Sequence, residues 1–88
     1  MTNMPPPAST RAERLIANIE ILCGKGDYDF EEESQDYSEY WTLVRRDHGT
    51  WFGDVLFMTK MCSSSESAWA ELDRVLDAGA RKKQSSEQ

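Results

Sequence analysis

The run Tyr40-Trp41-Thr42-Leu43-Val44-Arg45-Arg46, followed by Asp47-His48-Gly49-Thr50 and then by Trp51-Phe52-Gly53-Asp54-Val55-Leu56-Phe57-Met58-Thr59-Lys60-Met61, decides the fold. Its opening is rich in aromatic and β-branched residues, which suit a pleated, half-buried surface and predict a strand over 40–46. The four residues that follow carry turn chemistry through Asp and Gly. Residues 51–61 predict a second, longer strand. Alternation places Trp51, Val55, Phe57 and Met61 on one of its faces and Phe52, Leu56 and Met58 on the other. Apolar residues on both faces imply a sheet covered on both sides, one by helices and the other by a partner.

Helices flank this pair of strands. Upstream, Thr10-Arg11-Ala12-Glu13 reads as a capping box, a hydroxyl followed three residues later by a carboxylate. Behind it Ala12, Leu15, Ile16, Ile19, Leu22 and Cys23 form a helical stripe, and Gly24 ends it. Tyr28 and Phe30 alternate with Asp29 and Glu31, so 28–33 predicts a short strand and 34–38 a loop. Downstream, Ser63 with Glu66 predicts a second capping box. Ala68, Trp69, Leu72, Val75, Leu76 and Gly79 then line one side of a helix. The fold class is therefore α+β: α-β-β-β-α, a three-stranded antiparallel sheet with two helices packed on one face. Residues 1–9, with Pro5-Pro6-Pro7, are expected as a disordered lead-in, 10–80 as a single domain, and 81–88 as a disordered tail.

The chain has 88 residues, with 16 acids against 10 Lys and Arg, and 39% hydrophobic content. That leaves room for one small domain and none for a separate cofactor domain. A fold of this size buries only about 60–65% of its unfolded surface, so its aromatics must supply much of the core. The start, Met1 to Pro7, has neither a basic nor an apolar leader region, and no apolar run approaches membrane length. Cys23 and Cys62 read as small buried hydrophobes rather than a disulfide. Together these features imply a reduced, intracellular chain, cytoplasmic or nuclear, with no membrane partner.

Catalytic chemistry has few candidates. His48, the one histidine, sits in a predicted turn; there is no CxxC pair and no phosphate-cradling glycine loop. Asp27-x-Asp29-x-Glu31 resembles the start of a calcium loop. Its sixth position, however, is Glu32 where glycine is needed, and its twelfth is Ser38 rather than glutamate. We therefore expect no enzyme, no metal and no cofactor.

Charge is the most distinctive feature. Asp27, Asp29, Glu31, Glu32, Glu33, Asp36 and Glu39 place seven acids in thirteen residues without a base. Such a field repels nucleic acid and attracts basic partners, or simply keeps a strand edge solvated. Arg45, Arg46 and Lys60, near Trp41 and Trp51, suggest a small basic spot for nucleic acid. A chain at net −6 offers few charges for phosphate, so nucleic acid is not the expected partner.

The order of elements from Ala12 to Ala78 resembles the double-stranded RNA-binding domain. Tyr28 falls where that family often opens its first strand with an aromatic, and Tyr40-Trp41-Thr42-Leu43-Val44 is similar to its second strand. The resemblance implies RNA contacts from three places, and this chain departs at each. The last helix opens with Ser64-Ser65-Glu66-Ser67-Ala68-Trp69 instead of a lysine cluster. The first loop, Ser34-Gln35-Asp36-Tyr37-Ser38, lacks the family's histidine. The first helix offers only Arg11, Arg14, Asn18 and Glu20. By this resemblance the chain looks like family members that act through protein contacts.

The leading expectation is a non-catalytic protein–protein interaction module that self-associates through its sheet, with Trp41, Trp51, Phe52 and Phe57 as the binding aromatics. The first alternative is an acidic inhibitor that mimics nucleic acid and occupies a basic cleft on another protein through Asp29, Glu31, Glu32, Glu33 and Asp36. The second is weak RNA binding of the double-stranded type through Arg45, Arg46 and Lys60. Its partner is accordingly a second copy, as a homodimer, or a basic protein.

Overall fold

The computed structural model describes residues 10–86, and the lead-in expected over 1–9 lies outside them. The elements are α1 (Arg11–Cys23), β1 (Tyr28–Gln35), β2 (Glu39–Asp47), β3 (Phe52–Met58) and α2 (Ser65–Ser86). The strands form one antiparallel sheet in the order β1-β2-β3, so the architecture is α-β-β-β-α.

Both helices lie on one side of the sheet because their apolar stripes share one core. Leu15 and Ile19 of α1, Val44 of β2, and Leu72 and Leu76 of α2 form its buried centre. Leu22, Tyr28, Phe30, Phe57 and Trp69 pack around them. Thr42 is also fully buried on this side. Its hydroxyl donates to Ala68 O (2.9 Å) and its backbone N–H donates to Thr59 Oγ1 (3.0 Å), which satisfies both groups away from water.

The capping box of α1 forms as predicted: Thr10 Oγ1 accepts from Glu13 N at 3.1 Å, and the Glu13 carboxylate accepts from Thr10 N. Gly24 closes that helix at φ 90°, where a side chain is disfavoured. The start of α2 lies one residue beyond the predicted cap. Ser64 and Ser67 exchange backbone-to-hydroxyl bonds at 3.1 Å each, while Glu66 is held by Arg11. The far end of α2 reaches Ser86, six residues past the domain limit expected at 80. Arg81 pairs with Asp77 at 2.8 Å, and Lys83 Nζ donates to Ile21 O at 2.9 Å. A cation there meets the unsatisfied carbonyls at the end of α1, so the basic segment is held as helix.

The strands differ from expectation in length and in face. β1 continues to Gln35, opposite Glu39, and leaves a three-residue turn in which Asp36 and Tyr37 both take φ 54°. β3 ends at Met58, and its register with β2 breaks on both sides of Arg45. A register break inverts the alternation beyond it. Val55 pairs with Arg45 and Met58 with Leu43, which places both on the sheet face away from the helices, while Phe57, opposite Val44, faces the core. The predicted grouping of Val55 with Phe57 is therefore corrected.

Candidate functional site

The sheet face opposite the helices is built from three columns. β1 contributes Asp29, Glu31 and Glu33, β2 contributes Trp41, Leu43 and Arg45, and β3 contributes Val55 and Met58. Leu43 stands at its centre and is only 1% exposed, although it lies outside the helix-side core cluster. It is paired across the strands with Glu31 and Met58, so neighbours on its own face shield it.

Polar links tie the acidic column to the central one. Trp41 Nε1 donates to Glu33 Oε1 at 3.0 Å, and Arg45 Nε lies 3.5 Å from Glu31 Oε2. That Arg45 N–H is shielded from solvent yet finds no hydrogen-bond acceptor. The Glu31 carboxyl is pushed above its ordinary range, first by its hydrogen bond with Asp29, then by partial burial and by the Asp29 charge. Negative charge is thus crowded along β1.

Apolar exposure gathers at the opposite edge. Trp51 (60% exposed), Val55 (39%), Met58 (56%) and Met61 (55%) follow β3 and its two ends. Trp51, expected to open the strand, lies just before β3. It stacks on His48 with ring centroids 4.1 Å apart, in the turn closed by His48 N–H donating to Trp51 O.

The structure separates the residues that sequence grouped. Of the aromatics, Trp41 is half-buried on the open face, and Trp51 is exposed just before β3, near the opposite end of β2. Phe57 is partly buried and packs against the core, and the side chain of Phe52 lies outside the described set. Of the acids, Asp29, Glu31 and Glu33 share the open face. Glu32 turns the other way and accepts from Trp69 Nε1 (2.8 Å) and from the Ser65 hydroxyl, fastening the sheet edge to α2, while Asp36 sits in the hairpin turn. Of the bases, Arg45 is on the open face, whereas Arg46 points to the helix side. There it donates to Cys23 O at 3.0 Å and lies 4.8 Å over the Tyr28 ring. Lys60 is exposed beyond the end of β3, so the three do not form one basic spot.

Neither Leu43 nor Met58 was among the site residues expected from sequence. Both would follow from alternation once the register of β3 is known. The surface of α1 is also electrostatically occupied. Arg11 is bound by Glu66, and Arg14 Nη2 lies 2.8 Å from Asp73 Oδ2, both acids of α2. Among the described residues no three His, Cys, Asp or Glu side chains converge as a metal site requires, and no helix is long and apolar enough to cross a membrane. No protein family, no curated protein and no solved structure matches this chain.

Proposed function

We propose that the chain is a non-catalytic protein-interaction module that self-associates through its sheet, on the β3 side. The observation that carries this reading is the distribution of apolar exposure. Of the six large hydrophobics exposed among the described residues, four follow one strand, β3, while Ile16 and Tyr37 stand apart. Clustered apolar surface of this kind marks interaction sites, whereas scattered single residues need no explanation. Leu43, only 1% exposed, and the half-buried Trp41 add a shielded centre to the same face. Sedimentation velocity over a wide concentration range tests it: a sedimentation coefficient that rises toward the dimer value supports self-association, and a concentration-independent monomer removes it.

The acidic column supports a second reading, in which the β1 side engages a basic cleft on another protein. Asp29 has no cationic partner among the described residues, and the Glu31 carboxyl is held high by its acidic neighbour. Partner binding of this kind weakens steeply with salt and is lost when Asp29, Glu31 and Glu33 are neutralised. Duplex-RNA binding draws less support, because Arg11 and Arg14 are already matched by Glu66 and Asp73 and Arg45 by Glu31.

A further inference from the structure

We infer that the partner is a second copy of this chain, joined edge to edge along β3 so that two three-stranded sheets become one antiparallel six-stranded sheet. The inference rests on the self-association proposed above and supplies its geometry.

A three-stranded sheet has two free edges, and a free edge presents unpaired backbone groups to any strand that can lie beside it. Charge excludes one of them. β1 carries Asp29, Glu31, Glu32 and Glu33 within eight residues, so an antiparallel pair of β1 edges sets acid against acid. β3 carries a single acid, Asp54, in Phe52–Met58. Its flank is apolar, with Val55 and Met58 exposed on the open face.

Backbone direction then selects the centre of the contact. Thr59 N–H donates to Thr42 O at 2.9 Å, so Thr59 faces β2, and alternation turns the backbone groups of Met58 to the free edge. The edge runs on past β3 to Cys62, which bridges Tyr40, and a two-fold axis beside Met58, at the middle of 54–62, brings it next to the partner's Met58, two thioether side chains that are now 56% exposed. The antiparallel sense also turns the Asp54 end of each strand toward the Lys60 end of the other. Neither residue forms an ion pair within the chain among the described residues. The acidic β1 strands are left at the two outer edges, as far apart as the sheet allows.

The test uses the symmetry itself. Met58→Glu and Met58→Lys each place like charges side by side across the axis, and each weakens the dimer by about tenfold or more as read by light scattering. An equimolar mixture of the two variants restores the dimer mass, because unlike charges then meet. Met58 is exposed, and circular dichroism on each variant checks that the fold is kept. Variants that dimerise like the parent overturn the β3 edge while self-association stands. A mixture that stays monomeric while the parent dimerises overturns the placement of Met58 beside its symmetry mate. A parent that is monomeric throughout overturns the self-association reading and this inference with it.

Discussion

The junction between sheet and α2 rests on two buried threonines whose hydroxyls do unequal work, and substituting each by valine separates them. Thr59→Val removes the acceptor of the Thr42 backbone N–H, now 3.0 Å away, and leaves that donor in a fully buried site. An orphaned buried donor costs roughly 1–3 kcal/mol. Thr42→Val removes a hydroxyl that donates to Ala68 O at 2.9 Å, but that carbonyl lies inside α2 and keeps its helical partner one turn on. Here only the net value of one hydrogen bond is lost, about 0.5–1.5 kcal/mol. For a domain of this size each kcal/mol lowers Tm by roughly 4–8 °C. Thermal and urea unfolding of the two variants, at one fixed protein concentration, should therefore rank Thr59→Val as the more damaging. Equal losses, or a larger loss for Thr42→Val, would refute the reasoning that the Thr42 amide depends on Thr59.

Other perturbations follow from the same geometry. The folded chain holds the Glu31 carboxyl above its ordinary range, so it binds a proton more readily folded than unfolded, and this group's contribution to stability falls as pH rises from the ordinary carboxylate range through the raised value. Glu31→Gln removes that fall and raises stability at neutral pH in urea titrations; an unchanged pH profile contradicts it. Glu66 and Glu71 are held low by their bonds to Arg11 and Arg74, so their contribution is present above the ordinary carboxylate range and is lost as pH falls through the lowered values. Removing both carboxylates should flatten the acid limb of the stability curve. Tyr37 sits at φ 54° in an exposed turn, and Tyr37→Gly relieves about 1–2 kcal/mol of left-handed strain against about 0.5–1 kcal/mol of added chain entropy, a small net gain in Tm. Lys83→Met leaves the end of α1 without its cation and should lower stability by about 0.3–1 kcal/mol; hydrogen exchange at the last turn of α1 is the sensitive readout.

Much of this fold is legible in the sequence because its signals are local. The Thr10–Glu13 box, the Leu15 and Ile19 stripe, and the β-rich run from Tyr40 to Val44 each need only neighbours within a turn or two. What was not legible depends on distant partners. Nothing near Lys83 announces that it meets Ile21 O, so the basic end of α2 reads as a tail. The breaks in β3 register arise from its pairing with β2, and one such break moves Phe57 into the core and Val55 out of it. The same breaks explain why the candidate site shifted from the aromatics to Leu43, Val55 and Met58. The acidic run is plain in the sequence, but its division among the open face, the α2 latch at Glu32 and the turn at Asp36 depends on the strand's alternation and on Trp69 being nearby.

The central claim is that the open sheet and its β3 edge are the surface where copies meet. Amide hydrogen exchange, followed at low and at high protein concentration, addresses it most directly. The predicted result is a concentration-dependent slowing at Met58 and along β3, with the amides of α1 and of the outer face of α2 unchanged. Exchange that is independent of concentration at every site, or protection confined to the helices, would contradict it.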